Sequence, residues 1–316
     1  MPMLSFVPSN WPIAIIRGGR DAGRIIYAHT TEDPRLMITG RRPSSYFAAS
    51  EFGSGRAQPN LDDVDSLYRA LDGHGSVPHH LAGQFARASA EAEKRAMRQF
   101  KLEDPDAKLG VVPQAVPNQR EMTLIAGPSG TGKTTWAAQY ARMYKAAFPG
   151  QKVYVFTSKH ELDPAYAGLT EEDLPFDLEG LDQPPFLAPE HLRDSLCIFD
   201  DVENVQPKSL RDAVFALKKA ISETGRSSNV YLIVISHRPL RGNETKDDLN
   251  ESDGMIVFPR RGTTYHANRM LQVYGGLNKS QAKRVIEDTE NTRWVYCKLK
   301  GDIPAYLVSE SEIAFL

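Results

Sequence analysis

The sequence predicts an α/β fold, a mainly parallel sheet flanked by helices with a smaller region ahead of it, and three observations predict it. Short runs rich in Val and Ile, each bounded by turns or polar residues, occur at Met122 to Ala126, Val153 to Phe156, Leu196 to Phe199, Val230 to Ile235 and Met255 to Phe258. Such runs are what strands buried on both faces look like. Between them the apolar spacing becomes helical: Trp136, Tyr140 and Met143 share one face after the first run, and Leu210, Val214, Leu217 and Ile221 share one after the third. The first run also ends in a glycine-rich stretch that opens directly into a helix, which marks the junction of a strand and its crossover.

Composition sets the outer bounds. With 316 residues, 41% hydrophobic and 25% charged, the chain can bury one large core with a smaller appendage. The net charge of −2 excludes a strongly basic nucleic-acid-coating protein, so any contact with a polyanion has to be local. Two cysteines, Cys197 and Cys297, are too few for a disulfide framework or a zinc site, and fit a reducing compartment. The first twenty residues lack a basic leader with a long apolar core, and no run reaches the length of a membrane span. A soluble intracellular protein is expected.

In chain order, "WPIAIIRG" and "GRIIYAH" read as two short strands around the turn-rich "GGRDAG". Residues 41 to 78 read as loose and turn-rich, Leu81 to Phe100 as a solvent-facing helix, and "EDPDAKLGVVPQAVPN" as a linker. Residues 1–118 therefore form an accessory region of short strands, loops and a helix, and residues 119–316 the main domain. Beyond Arg260, "LNKSQAKRVIEDT" reads as a helix, and "RWVYCKLK" and "AYLVS" as closing strands.

The glycine-rich stretch is "GPSGTGKTT", Gly127 through Pro128, Ser129, Gly130, Thr131, Gly132, Lys133 and Thr134 to Thr135. It matches G-x-x-x-x-G-K-[ST], with the required strand before it and helix after it. Glycines let the backbone fold into a nest of N–H donors around a phosphate chain, and the helix presents the positive end of its dipole to the same charge. Lys133 would reach the β- and γ-phosphates of ATP, and the Thr134 hydroxyl would ligate Mg²⁺. The third run supplies the complementary acids, because "SLCIFDDVEN" ends in Asp200 and Asp201. Asp200 is the expected magnesium carboxylate on a neighbouring strand, and Asp201 the acid that orients or deprotonates the attacking water. Adjacent like charges are unfavourable unless a cation or a reaction uses them. The plainer alternative makes Asp201 a solvated loop carboxylate. The fourth run ends in Ser236 and His237, the place for a γ-phosphate sensor, although a histidine at a strand end also serves purely structural ends.

The order of "GPSGTGKTT", "LCIFDDV", a helix, "TGRSSNVYLIVISHRP" and "SDGMIVFPR" resembles the FtsK/HerA superfamily of P-loop ATPases and, within it, the DNA-packaging ATPases of large double-stranded DNA viruses. That resemblance implies a RecA/ASCE-like P-loop NTPase fold. It implies an arginine before the sensor strand, matched by Arg226, and a polar strand end, matched by Ser236 and His237, where glutamine is usual in place of the histidine. It also implies a homo-oligomeric ring, a hexamer or pentamer, with an arginine finger acting in trans. Arg226, Arg238, Arg260 and Arg261 are the candidates, and removing such a charge typically lowers the rate by about three to five orders of magnitude.

The function expected on that resemblance is ATP-driven, sequence-independent translocation of double-stranded DNA, packaging a viral genome, with capsid vertex proteins as further partners. Residues 238 to 246, "RPLRGNETK", and the region from Arg260 to Arg269 are candidate DNA-facing loops. Location in a host cytoplasm or nucleus, or association with the virion, would follow. Two other classes remain open: a P-loop kinase using "LDPAYAGLTEEDLPFDLEGLDQPPF" as a lid, and a nucleotide-gated scaffold without turnover.

Overall fold

Every residue of the second, third and fourth apolar runs is buried or nearly so, which requires layers on both faces of the strands they form. The computed structural model describes residues 3–6, 8–29, 99–114, 120–159, 161–169, 178–237, 247–248, 250–259, 264–289, 292–301 and 303–316. Among the described residues, thirteen strands are formed: β1 Met3–Ser5, β2 Trp11–Arg17, β3 Ile25–His29, β4 Gln99–Lys101, β5 Lys108–Val111, β6 Met122–Ala126, β7 Lys152–Thr157, β8 Ser195–Asp200, β9 Val230–Ser236, β10 Gly254–Val257, β11 Val295–Lys298, β12 Tyr306–Ser309 and β13 Glu312–Phe315. The α-helices that accompany them include α1 Lys133–Ala147, α2 Lys208–Thr224, α3 Thr264–Val273 and α4 Lys279–Asp288. Among the described residues, no helix is long and apolar enough to cross a membrane.

The main sheet has the order β4-β13-β12-β11-β10-β6-β9-β8-β7. The five strands from β10 to β7 are parallel, and the extension through β11, β12, β13 and β4 is antiparallel. One feature differs from the sequence reading: β8 is not the neighbour of β6, because β9 lies between them. Register still brings the strand ends level, with Ala126 opposite Ser236 and Thr157 opposite Asp200. The carboxyl ends therefore form one row, the edge at which open α/β sheets place their sites.

Alternation along each strand divides the core. Ile198, Ile233 and Ile235 face the α1 side with Trp136, Tyr140 and Tyr144, whereas Phe199, Leu232 and Val234 face the α2 side with Val214, Leu217 and Ile221. Met143, expected on the buried face of α1, is only half-buried, and Tyr144 occupies the core instead. Cys197 and Cys297 are both free and buried.

A second, antiparallel sheet has the order β1-β3-β2-β5. The predicted hairpin is present as β2 and β3, but residues read as linker form β5, with Leu109 opposite Ile16 and Val111 opposite Ala14. The flanking prolines and acids suggested a linker; the fully buried Leu109 within "KLGVV" decides for a strand. The end of the predicted 81–100 helix is also extended, since Gln99–Lys101 pairs with β13 and Phe100 packs edge-on against Phe6 at 5.8 Å. The rest of that helix, and the loose segment 41 to 78, lie outside the described residues. Helix α3 was not anticipated, and part of it covers the segment expected to be a basic loop.

At the amino end of β6 a buried polar cluster ties the sheet together. Lys298 Nζ lies 2.6 Å from Glu121 Oε1, and each residue is only 3–4% exposed. Tyr140 donates to Glu121 Oε2 at 2.6 Å, and the Gln114 amide donates to the same oxygen at 3.3 Å. Removing one member of a buried ion pair leaves an uncompensated charge. Lys298→Met is therefore expected to lower unfolding free energy by about 3–5 kcal/mol, and adding Glu121→Leu to recover part of it; urea titrations of both variants measure this.

Candidate active site

Helix α1 begins at the carboxyl end of β6, after a loop that reverses direction within a few residues. Gly130 and Gly132 make the reversal possible, with φ of 75° and 100°, values open to glycine at little strain. The crest, Pro128 to Gly130, is exposed, whereas Thr131 is buried and donates its hydroxyl to the Pro128 carbonyl at 2.9 Å. Among the described residues no side chain caps the first turn of α1, and no acid lies within it. Its free amides and positive dipole end thus remain available to an anion.

The helix start also carries the two side chains of the motif. Lys133 is buried, with Nζ 2.8 Å from both the Gly127 and Pro128 carbonyls and 3.1 Å from His237 Nδ1. Burial lowers its pKa, an effect opposed by Asp201 and Asp200. Thr134 donates to Asp200 Oδ2 at 2.9 Å, so the first helix and the third parallel strand meet across the end of β9. Asp200 is 3% exposed, and burial raises its pKa against the hydrogen bond from Thr134.

Asp201 takes a left-handed backbone, φ 58°, a conformation that aspartate tolerates better than most residues. The chain leaves β8 sharply there, and the Asp201 side chain turns to Lys159 Nζ, at 2.9 Å, and to His237 Nε2. Ser158 donates to its carbonyl at 2.8 Å. Burial works against the Asp201 charge, but the donors Lys159 and His237 prevail and hold its pKa below the ordinary carboxylate value. With Lys133 donating to Nδ1, His237 is best satisfied as the Nε2–H tautomer donating to Asp201. His237 thereby bridges the motif lysine and the second acid.

The residues from Gly127 to Thr135, Asp200, Asp201 and His237 are thus gathered at one edge. Ser236 is there too, donating to Glu203 Oε1 at 3.2 Å. Arg226 is not: it is exposed in the turn that precedes β9, at the amino end of a seven-residue strand, where it lies in the field of Arg120. At about 3.3 Å per residue that strand separates it from this chain's own lysine by roughly 20 Å. Arg238, Arg260, Arg261 and residues 238 to 246 lie outside the described residues. Sequence reasoning missed Lys159 and Tyr166, whose hydroxyl donates to Asp200 Oδ2 at 3.2 Å. The signal for Lys159 was positional, since a residue just past β7 joins the site once β7 is known to flank β8. Tyr166 had no local signal.

The donor set suits a nucleoside triphosphate and a hard divalent cation. A hydroxyl and a carboxylate meet at the mouth of a backbone nest, and among the described residues no thiol or imidazole is bonded to either. Among the described residues, no group of three or more His, Cys, Asp or Glu forms a metal cage, so phosphate oxygens and water would complete the coordination.

Residues 123–247 match the family described as "ATPase family associated with various cellular activities (AAA)". The uncharacterized protein V3 of Sputnik virophage is 39% identical over 194 residues, which cover 60% of this chain and 75% of V3. Among solved structures, the genome packaging NTPase B204 of Sulfolobus turreted icosahedral virus 2, in complex with ATPγS, superposes with a TM-score of 0.38 at 10% identity, covering 62% of this chain and 98% of B204. The conjugation coupling protein TcpA of pCW3 gives 0.38 at 11% identity, covering 76% and 82%.

The two acids should respond to pH in opposite senses. The depressed pKa of Asp201 adds stability that is complete above the unfolded value of about 3.9 and is lost as pH falls through the folded value. The raised pKa of Asp200 favours the folded state at low pH, and that contribution is lost as pH rises from about 3.9 through the folded value. At pH 7, Asp200→Asn is therefore expected to melt above wild type and Asp201→Asn below it. Melting curves from pH 3 to 8 check both signs.

Proposed function

Because this chain belongs to the same protein family as V3 of Sputnik virophage and carries an AAA-type P-loop ATPase domain, we propose that it is an ATP-hydrolysing motor that moves double-stranded DNA, packaging a viral genome. The observation that supports the reading is the Thr134–Asp200 hydrogen bond of 2.9 Å with Asp201 beside it, a hydroxyl and two carboxylates gathered beside the glycine-rich loop. The order of motifs that resembles FtsK/HerA packaging ATPases supports the DNA-moving part.

In this reading the amides of Gly130 to Thr135 and the first turn of α1 hold the phosphate chain of the substrate ATP. Lys133 exchanges its bonds to the Gly127 and Pro128 carbonyls for phosphate oxygens. Thr134 and Asp200 would hold magnesium, which would supply neutralisation of phosphate charge. Asp201 accepts a hydrogen bond from the attacking water. Its lowered pKa keeps it ionised at neutral pH and makes it a weak base, so orientation of the water is its larger contribution. His237 senses the site through the contacts it already makes, to Lys133 and to Asp201.

The assembly proposed is a homo-oligomeric ring, a pentamer or hexamer, in which Arg226, remote from its own site, or one of Arg238, Arg260 and Arg261 reaches a neighbour's nucleotide. A ring multiplies a few basic residues by its subunit number, so a monomer of charge −2 still grips a phosphate backbone. Of the candidate DNA-facing segments, the described part is helix α3, whose exposed surface carries Tyr265 and Arg269. Capsid vertex proteins, and a place in the infected host cell or the virion, complete the proposal.

Lys133→Ala is expected to abolish nucleotide binding or turnover. Asp201→Asn should keep ATP binding while hydrolysis falls by about two orders of magnitude or more. Phosphate release measured alone, with double-stranded DNA and with small hydroxyl acceptors tests the whole reading. Stimulation by DNA supports the motor; turnover only with an acceptor indicates a kinase, and binding without turnover a nucleotide-gated scaffold.

A further inference from the structure

The segment after β7 enters the site from an unexpected side. Residues Pro164–Tyr166 form one 3₁₀ turn, capped by Asp163, whose carboxylate accepts from the Ala165 amide at 3.0 Å. Arg142 of α1 donates to the Ala165 carbonyl at 2.7 Å and fastens the turn to the helix that carries Lys133 and Thr134. The turn delivers Tyr166, fully buried, into the core on the α1 side of the sheet. Its hydroxyl lies 3.2 Å from Asp200 Oδ2, the same oxygen that accepts from Thr134 at 2.9 Å.

A carboxylate oxygen offers two lone-pair positions, and here both are taken by protein donors. Among the described residues no donor reaches Oδ1. Rotation about the terminal torsion of aspartate is broad and roughly two-fold, so one donor on Oδ2 leaves the group free to swing, whereas two from different elements fix it. We infer that Tyr166 is a positioning residue for the metal-binding carboxylate: with Thr134 it saturates Oδ2 and commits Oδ1 to the divalent cation or its water shell. The inference rests on the ATPase reading of this site and adds to it a residue that touches neither nucleotide nor metal. It also gives the acidic segment after β7 a role unlike that of a substrate lid, since its first turn is an outer support of the metal site.

Outer partners of metal ligands typically change metal affinity or activity by about 10–100-fold when removed. Tyr166→Phe keeps the ring in the core and deletes only the hydroxyl. The test is calorimetric binding of ADP to the full chain, with and without Mg²⁺, together with Mg²⁺ titrations of phosphate release. The expected result is ADP affinity without Mg²⁺ equal to wild type, at least a tenfold rise in the Mg²⁺ concentration for half-maximal binding and turnover, and recovery of most of kcat at saturating Mg²⁺. A lost hydroxyl that merely loosened the fold would weaken binding equally with and without the metal, and that result overturns the inference, as does an unchanged Mg²⁺ titration. Arg142→Ala, which loosens the same turn from the surface, should shift the Mg²⁺ titration in the same direction by a smaller factor and covers the case in which Tyr166→Phe folds poorly. If wild-type protein binds ADP neither with nor without Mg²⁺, the ATPase reading itself fails; if it binds and both variants titrate like wild type, only the role of Tyr166 falls.

Discussion

The hydrogen bond between Thr134 and Asp200 joins two elements that are not neighbours in the sheet, and the site depends on the register that permits it. Strand β9 separates β6 from β8, so a helix leaving β6 meets the end of β8 only if all three strands stop at the same level. The pairings of Ala126 with Ser236 and of Phe199 with Val234 secure this. A slip of one residue would turn every buried side chain of a strand to the opposite face, and both faces here are packed with different layers. The precision of the site is therefore inherited from the two hydrophobic cores and not from the loop that carries the motif.

The same edge is where the fold accepts unfavourable burial. Lys133 and Asp200 are both buried in spite of their charge, and their pKa values move in the directions that burial dictates. At the opposite end of β6, Glu121 and Lys298 are equally buried but directly paired, with Tyr140 and Gln114 filling the remaining positions. The contrast separates two uses of charge in one sheet. At the amino end the network is closed and structural; at the carboxyl end it keeps donors and acceptors that a ligand can claim.

Much of the fold was legible because the strongest signals were local. The five parallel strands, helices α1, α2 and α4, and the phosphate loop each announced themselves through periodicity or glycine spacing within about fifteen residues. Strands β1, β4, β5 and β13 did not, being three or four residues long, and β4 is moreover defined by partners far away in the chain, as Phe100 is by Phe6 and Ile313. In the site, Asp200 and Asp201 could be named from their place after an apolar run. Lys159 and Tyr166 required the sheet order and a packed turn, neither of which has a signature in sequence. The linker expected at residues 103 to 118 shows the converse error, where prolines outweighed a short buried apolar run.

Lys133 is already content where it stands. Its ammonium has three acceptors, two of them carbonyls of the loop it serves. A phosphate that recruits it gains only the surplus of the new bonds over the old, so the loop behaves as a competitor tethered to its own cation. Such a competitor bears least on a ligand with many charged oxygens and most on one with few. On the proposed ATPase reading, spent nucleotide would thereby be easier to discard than fresh nucleotide, a bias toward the forward cycle set by main-chain oxygens and needing no moving part.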